Sequence, residues 1–528
     1  MSTESKIWAS SRVQTCEMLH ATCQIKSCSF MPTRLLRLQE HSSSGQLFVR
    51  LEQMTASRMN VDAREERYST LTYCWGGVQD VQLNANTEGM LTRGIPASSL
   101  HKTLLDATLV TWDMGLRLVW IDCLCILQDN PLDIVSEIDK LPEIYGNSFI
   151  TISAARASNS REGFLQRTSL PAVSKPAFKL PFACPDGRPG SAILSSGLLN
   201  SPIESRAWTL QEYVLSRRVL QFTQAGFHWT CSQIALFQED EDALPLLFAQ
   251  RLRRSYRMYT GIRGGDRTCR SWMNIVEEYT KRDLTYSSDK LAAISGIGEL
   301  WGKTSEDSYA AGLWVSHLPL GLLWTSAQPH MQSGLAEYLA PTWSWASLSG
   351  QVDWFDHVQT MVDPSVMIVS CKATPAYENA PYGKVSSGAL TIRGRLQKTA
   401  LEDELSPKSA STASSGQADN EILDLEMADI HLDLWDEALK SRIRRCKLFC
   451  LQICSFDETS SRGPSGLILA TEDERLFRRV GVFFFEHPQD HDVERLGHYK
   501  NLAHLAESIL RIQRSAFQHV ATRTIIIV

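Results

Sequence analysis

From about residue 32 to 155 the chain alternates short apolar runs with helix-length amphipathic stretches, and this alternation limits the fold more than any other feature. "YSTLTYCW" (68–75) reads as a strand that stops at Gly76-Gly77. "SSLHKTLLDATLVTWDMG" (98–115) reads as a helix, with Leu100, Leu104, Ala107 and Thr111 along one side and Gly115 as its stop. "LRLVWIDCLCI" is continuously apolar at its start, as a strand buried on both sheet faces must be. A helix over 131–145 and the strand "SFITISAA" (148–155) follow. Strand, helix, strand, helix, strand is the pattern of an α/β domain built on a parallel sheet.

With 528 residues the chain exceeds the size of one hydrophobic core, so more than one domain is expected. Residues 1–31 read as a lead-in without clear pattern, 32–240 as the α/β core, and 241–350 as a helical extension. Residues 351–528 read as a β-rich region, with a polar Ser/Ala-rich insertion near 402–421 expected to be disordered. The charge of −6 is well mixed, which excludes a basic nucleic-acid face and a polybasic membrane patch. No apolar run resembles a signal peptide or reaches the ~20 residues of a membrane span. Thirteen Cys without framework spacing fit a reducing, cytoplasmic location.

Ligands of open parallel sheets bind beyond the carboxyl ends of the strands. The stretch "IDCLCILQDN" brings Asp122, Cys125 and Gln128 to such an end, and "TYCWGG" brings Tyr73, Trp75 and Gly76. If the two strands are neighbours, these groups share a crevice. Cys125 is either a nucleophile or a buried core thiol. On the following helix, Ile134, Ile138, Leu141, Ile144 and Tyr145 form an apolar arc of about 120°. Glu137 projects inside that arc, where a carboxylate needs either a cation such as Arg206 or Arg117, or a functional cavity. Pro142 is expected to kink or shorten this helix. "RAWTLQE" adds Arg206, Trp208, Gln211 and Glu212, suited either to a planar charged ligand or to a core anchor.

Two cysteine groups stand apart. Cys16, His20, Cys23 and Cys28 lie close in sequence, but without C-x2-C hairpins they read as buried thiols, and no metal is expected. Cys446, Cys450 and Cys454 share one face of an expected strand, as small core residues. Dinucleotide, P-loop, nucleophile-elbow and zincin motifs are all missing.

Taken together, "YSTLTYCWGG", "LVWIDCLCILQDN", "EIYGNSFITISAARASNSREGFL" and "RAWTLQEYVLSRRVLQF" resemble the fungal heterokaryon-incompatibility (HET) domain. The resemblance continues in order through "YTKRDLTYSSDKLAAISGI", "AAGLWVSHLPLGLLW" and "PTWSWASLSG". It implies a TIR/flavodoxin-like α/β core in a protein of non-self recognition and regulated cell death. Through the distant similarity of HET to TIR domains it also implies Glu137 as the matching glutamate of a NAD-cleaving site. No cofactor is required on that reading; NAD enters as substrate, and the partners are other proteins, further copies of the chain or a small-molecule ligand. The residues leave two alternatives open: an enzyme of fungal secondary metabolism using Cys125 or Asp122, and a non-catalytic interaction module.

Overall fold

The computed structural model describes residues 1–23, 30–41, 45–54, 67–166, 178–183, 189–194, 201–224, 226–231, 235–237, 266–303, 307–327, 338–354, 362–399, 422–423, 428–433, 446–455, 464–485, 517 and 519–528. The chain divides into two compact units, Met1–Arg257 and Met258–Val528. The Ser/Ala-rich insertion and Cys28 lie outside the described residues.

The first unit opens with α1 (Thr3–Leu19), β1 (Arg34–Glu40) and β2 (Leu47–Gln53). Next come β3 (Tyr68–Thr72), α2 (Glu88–Arg93), β4 (Ile95–Pro96), α3 (Lys102–Asp113) and β5 (Leu118–Trp120). Three helices, α4 (Asp122–Cys125), α5 (Pro131–Asp139) and α6 (Leu141–Asn147), lead to β6 (Ile150–Ser153). A separate hairpin, β7 (Phe178–Ala183) with β8 (Pro189–Leu194), precedes α7 (Trp208–Leu215). The unit closes with β9 (Arg218–Thr223), β10 (Gly226–Cys231) and β11 (Ala235–Phe237).

Its sheet is mixed, in the order β11-β10-β9-β6-β3-β5-β1-β2-β4. Only β5, β3, β6 and β9 run parallel to one another; the flanking strands pair antiparallel. The expected strand–helix alternation therefore forms the centre of the sheet. Chain order reverses around β3, which has β5 on one side and β6 on the other, and in open α/β sheets that switch marks the ligand crevice. All five residues of β3 are buried, and two of its polar members are satisfied laterally: Ser69 bonds Thr111 and Thr70 bonds Thr151, each at 2.7 Å. Lys140 ends one helix and Leu141-Pro142 starts the next, so the expected 131–145 helix is two. A proline is accommodated in the first turn of a helix and not within one. The amino-terminal segment forms α1, whose inward face is made by Ser5, Ala9, Val13 and Cys16, too small and mixed to stand out in sequence.

In the second unit, helices Asp266–Thr280 and Ala292–Gly302 precede a segment of short strands and 3-10 turns, so within the expected 241–350 extension the described α-helical character ends at Gly302. Trp272, Trp301, Trp314, Trp324, Trp343 and Trp345 are all fully buried there. Trp272 lies edge-on to Trp301 at 5.4 Å and to Trp314 at 5.6 Å, while Trp301 stacks on Trp314. Beyond them the region is β-rich. The 15-residue strand Val385–Thr399 pairs with Lys447–Cys454 at one end and with Thr522–Ile527 at the other. Those strands connect back through Ser465–Thr471 and Leu476–Phe485, closing a ring of pairing. Cys450 is core and Cys446 packs on the same cluster, while Cys454, also buried, follows a bulge that interrupts the alternation. Among the described residues no helix is long and apolar enough to cross a membrane.

Candidate functional site

β3 and β5 are parallel neighbours, with Thr70 beside Trp120, so the residues after them emerge at one edge. The chain turns at Ile121, and Asp122 begins α4 instead of ending the strand. Its Oδ2 accepts the Trp75 indole N–H at 2.7 Å and its Oδ1 accepts the Cys123 amide at 2.7 Å. Burial pushes the Asp122 carboxyl up from its ordinary value, and these hydrogen bonds and the Arg206 charge oppose the rise. The buried Tyr73 hydroxyl lies close to Asp122 and Cys123 without completing a well-formed hydrogen bond, and burial raises it further.

Gly76 and Gly77 have φ of +68° and +119°. A Cβ on Gly76 would sit 2.0 Å from the Asn159 Cβ, so glycine lets the loop after β3 close onto the loop after β6. Ser160 N–H donates to the Trp75 carbonyl at 3.2 Å, and Gln79 ties Trp75 and Gly77 carbonyls together.

α7 supplies the other wall. Arg206, just before it, donates to the Tyr73 carbonyl at 2.6 Å and bears electrostatically on Cys74, Asp122 and Glu212. Burial lifts the Glu212 carboxyl to about 7; the Asp122 charge adds to the rise, while Thr72, Arg206 and Tyr145 oppose it. Trp75, Asp122, Arg206, Trp208 and Glu212 all keep partly exposed surface, whereas Gln211 is buried. Gln128 points its amide at the Ile126 and Asp122 carbonyls, 3.0 and 3.3 Å away, and so braces the connection to α5.

Cys125 has no exposed surface, and burial pushes its thiol up to about 12, with Glu137 and Asp122 adding to the rise and Arg34 opposing it. A thiol held protonated and sealed from solvent is a core residue by chemistry. Glu137 is 1% exposed. Its Oε1 accepts from Thr33 Oγ1 at 2.7 Å and from Lys140 Nζ at 2.9 Å, and Lys140 also reaches Thr33 Oγ1 at 2.9 Å. Oε2 has no hydrogen-bond partner among the described residues. The cation is thus Lys140, not Arg206 or Arg117; Arg117 stacks over Trp112 at 3.7 Å. A continuous helix would turn Lys140 to the polar side, but α5 ends before it and frees its stem to swing back.

The register pairing Leu36 of β1 with Val119 of β5, continued past Trp120, sets Thr33 level with Asp122. Both carboxylates therefore belong to the same edge of the sheet, although among the described residues they have no hydrogen-bond partner in common. Beside Glu137, Arg34 forms a two-pronged pair with Asp133, whose Oδ2 also accepts the Leu127 amide at 2.8 Å. Thr33, Arg34 and Lys140 carried no sequence signal, because their partners are far along the chain or come into reach only through the helix break.

Replacing Lys140 by Met keeps the stem and removes the ammonium, leaving Glu137 with Thr33 alone. The expected loss of stability is about 1–3 kcal/mol, less than for a sealed pair because Lys140 is 35% exposed. Adding Glu137→Gln is expected to recover most of it in urea denaturation. A Lys140→Met protein as stable as wild type would mean that Glu137 needs no cation.

The loop after β6 is also fixed by contacts that sequence reasoning missed. Asp106 of α3 is fully buried, pairs with Lys102 and accepts the Phe164 and Leu165 amides at 2.7 and 3.0 Å. His101 bridges Ser160 and Asp80 at 2.8 and 2.6 Å. At the opposite, amino end of the parallel strands a cleft of about 370 Å³ is lined by Glu17, Arg67, Arg117 and Phe149. Its charges are engaged in an exposed Arg67–Glu17 pair and in stacking, so its size alone does not make it the site.

Residues 68–212 match the family model described as heterokaryon incompatibility protein (HET). That span runs from the start of β3 to Glu212 and contains each group at the carboxyl edge except Thr33 and Arg34. No curated protein and no solved structure matches the chain.

Proposed function

We propose, from the premise that the chain carries a HET domain over residues 68–212, that it is a heterokaryon-incompatibility effector of fungal non-self recognition. Its trigger for regulated cell death is cleavage of NAD at the carboxyl edge of the parallel strands. The observation that carries this reading is the Asp122–Arg206–Glu212 group, two carboxyls raised by burial and a guanidinium beside the partly exposed Trp75. Perturbed carboxyls beside a specific charge at a partly exposed edge suit acid–base chemistry. The parallel strands, numbered in chain order, lie 2-1-3-4, an order found in flavodoxin-like sheets, which supports the TIR-like reading.

In this mechanism the bond between nicotinamide and ribose breaks and water adds to the ribose carbon, giving nicotinamide, ADP-ribose and a proton. Asp122 stabilises the positive charge that develops on the ribose. Glu212, poised near neutrality, takes the proton from water. Arg206 meets the pyrophosphate and Trp75 stacks on a base. Glu137 is a positioning residue: through Thr33 and Lys140 it fixes α5 against the start of β1.

Nicotinamide release by the purified chain at high concentration tests this. Wild type is expected to release it, Glu212→Gln to lose at least ~10²-fold, and Glu137→Gln to keep activity in proportion to the folded fraction. Absence of release from folded wild type would remove the catalytic reading. The sealed burial of Cys125 and Glu137 favours, as second reading, a domain that acts by association alone. In that case toxicity in a fungal cell would survive Glu212→Gln. A tailoring enzyme of secondary metabolism would instead be non-toxic and would change the metabolite profile on deletion.

A further inference from the structure

Cys16, His20, Cys23 and Cys231 meet in the first unit, away from the carboxyl edge. Cys16 and His20 lie four residues apart at the end of α1, Cys23 closes the 3-10 turn that follows, and Cys231 ends β10. All four are buried, and their ligand atoms lie within 4.8 Å of one another. His20 Nδ1 is 3.4 Å from Cys231 Sγ. Zinc–sulfur bonds of about 2.3 Å around a tetrahedron put ligand atoms about 3.7 Å apart, so only small shifts are needed to close such a site.

An independent observation comes from Arg218. It lies directly across from Cys231 in the β9–β10 pairing and is 1% exposed. Its donors reach Cys16 Sγ at 3.3 Å, the Cys23 carbonyl at 2.8 Å and the Phe149 carbonyl at 3.2 Å. None of its hydrogen-bond or ion-pair partners among the described residues is a carboxylate. A guanidinium with no counter-charge is costly to bury, and neutral thiols do not balance it. Three thiolates and one imidazole around a divalent cation carry a net charge of −1, which Arg218 neutralises while donating to a ligand sulfur. Metal sites are commonly braced by such an outer hydrogen bond.

We propose that Cys16, His20, Cys23 and Cys231 bind one structural zinc ion whose charge is balanced by Arg218. On binding, each thiol loses its proton to solvent, three zinc–sulfur bonds and one zinc–nitrogen bond form, and no electrons are transferred. With four protein ligands the site is closed to substrate, and the ion fastens α1 to the antiparallel flank of the sheet. The neighbouring Cys28 is not needed, since Cys231 supplies the fourth ligand from the far end of the domain.

The test is metal content of the full chain purified under reducing conditions and dialysed, measured by inductively coupled plasma mass spectrometry. About one zinc per chain is expected. Cys231→Ser is expected to cut retained zinc at least ~10-fold, and Cys28→Ser to leave it unchanged. Should Cys231→Ser fail to fold, cobalt decides on wild type: tetrahedral thiolate ligation gives strong visible d–d bands and a near-ultraviolet charge-transfer band. Wild type that neither retains zinc nor takes up cobalt with these bands would overturn the proposal. So would a Cys231→Ser protein that keeps its zinc, or a Cys16–Cys23 disulfide in the unreduced wild type.

Discussion

Glu212→Gln is expected to be more stable than wild type at pH 8 and no more stable at pH 4. Burial lifts this carboxyl to about 7 in the folded protein, against about 4.3 in an unfolded chain. Between those values the folded state holds a proton that the unfolded chain has released, so stability falls as pH rises through the window. Below it the acid is neutral in both states and no penalty exists; above about 7 the penalty is complete. Glutamine keeps the shape without the charge. The full linkage is about 3–4 kcal/mol, reduced to about 1–2 kcal/mol because Glu212 keeps a partly exposed face. Melting curves at pH 4 and pH 8 check this. Gained stability with lost nicotinamide release would identify a residue kept for chemistry at a structural cost. A variant weaker than wild type at pH 8 would mark Glu212 as a satisfied brace.

The largest purely structural effect is expected in the second unit. Arg479 has no exposed side-chain surface. It forms a two-pronged pair with Asp433, Nε to Oδ2 and Nη2 to Oδ1 both at 2.9 Å, and donates to the Leu322 and Trp324 carbonyls. Its guanidinium also stacks on the Trp324 ring at 3.3 Å. Asp433→Ala leaves this cation buried and uncompensated, for an expected loss of about 3–5 kcal/mol in urea denaturation. Replacing both, Asp433→Leu with Arg479→Met, is expected to return most of that loss, because the desolvation cost disappears with the charges. A double variant as weak as Asp433→Ala would mean that the carbonyl contacts of Arg479, not its charge balance, hold this region.

The central alternation of the first unit was legible because β3, β5 and β6 are buried on both faces and read as apolar or small-residue runs. What the sequence could not reveal was that the sheet continues antiparallel on both sides, since that depends on pairing between distant strands such as β1 and β5. The site divides in the same way. Tyr73, Trp75, Asp122, Arg206 and Glu212 sit beside strand ends or on a short helix, and local pattern sufficed to single them out. Glu137 is legible as a buried carboxylate, but its partner is not: a helical wheel assumes a continuous helix, and this one breaks at Lys140. Spacing near the amino terminus could not show that Cys16, His20 and Cys23 meet Cys231, which arrives on β10.

The tryptophans packed in the second unit have an optical consequence. Rings 5.4–6.4 Å apart, held at fixed angles, couple their electronic transitions and exchange excitation. The near-ultraviolet circular dichroism is therefore expected to carry a contribution from Trp272, Trp301 and Trp314 as a coupled set. In the first unit only Trp120 and Trp229 are comparably enclosed, on β5 and β10. Loss of this ring coupling is the expected optical signature of unfolding in the second unit, on top of the emission of the first unit's own tryptophans, Trp75 and Trp208 at the carboxyl edge among them.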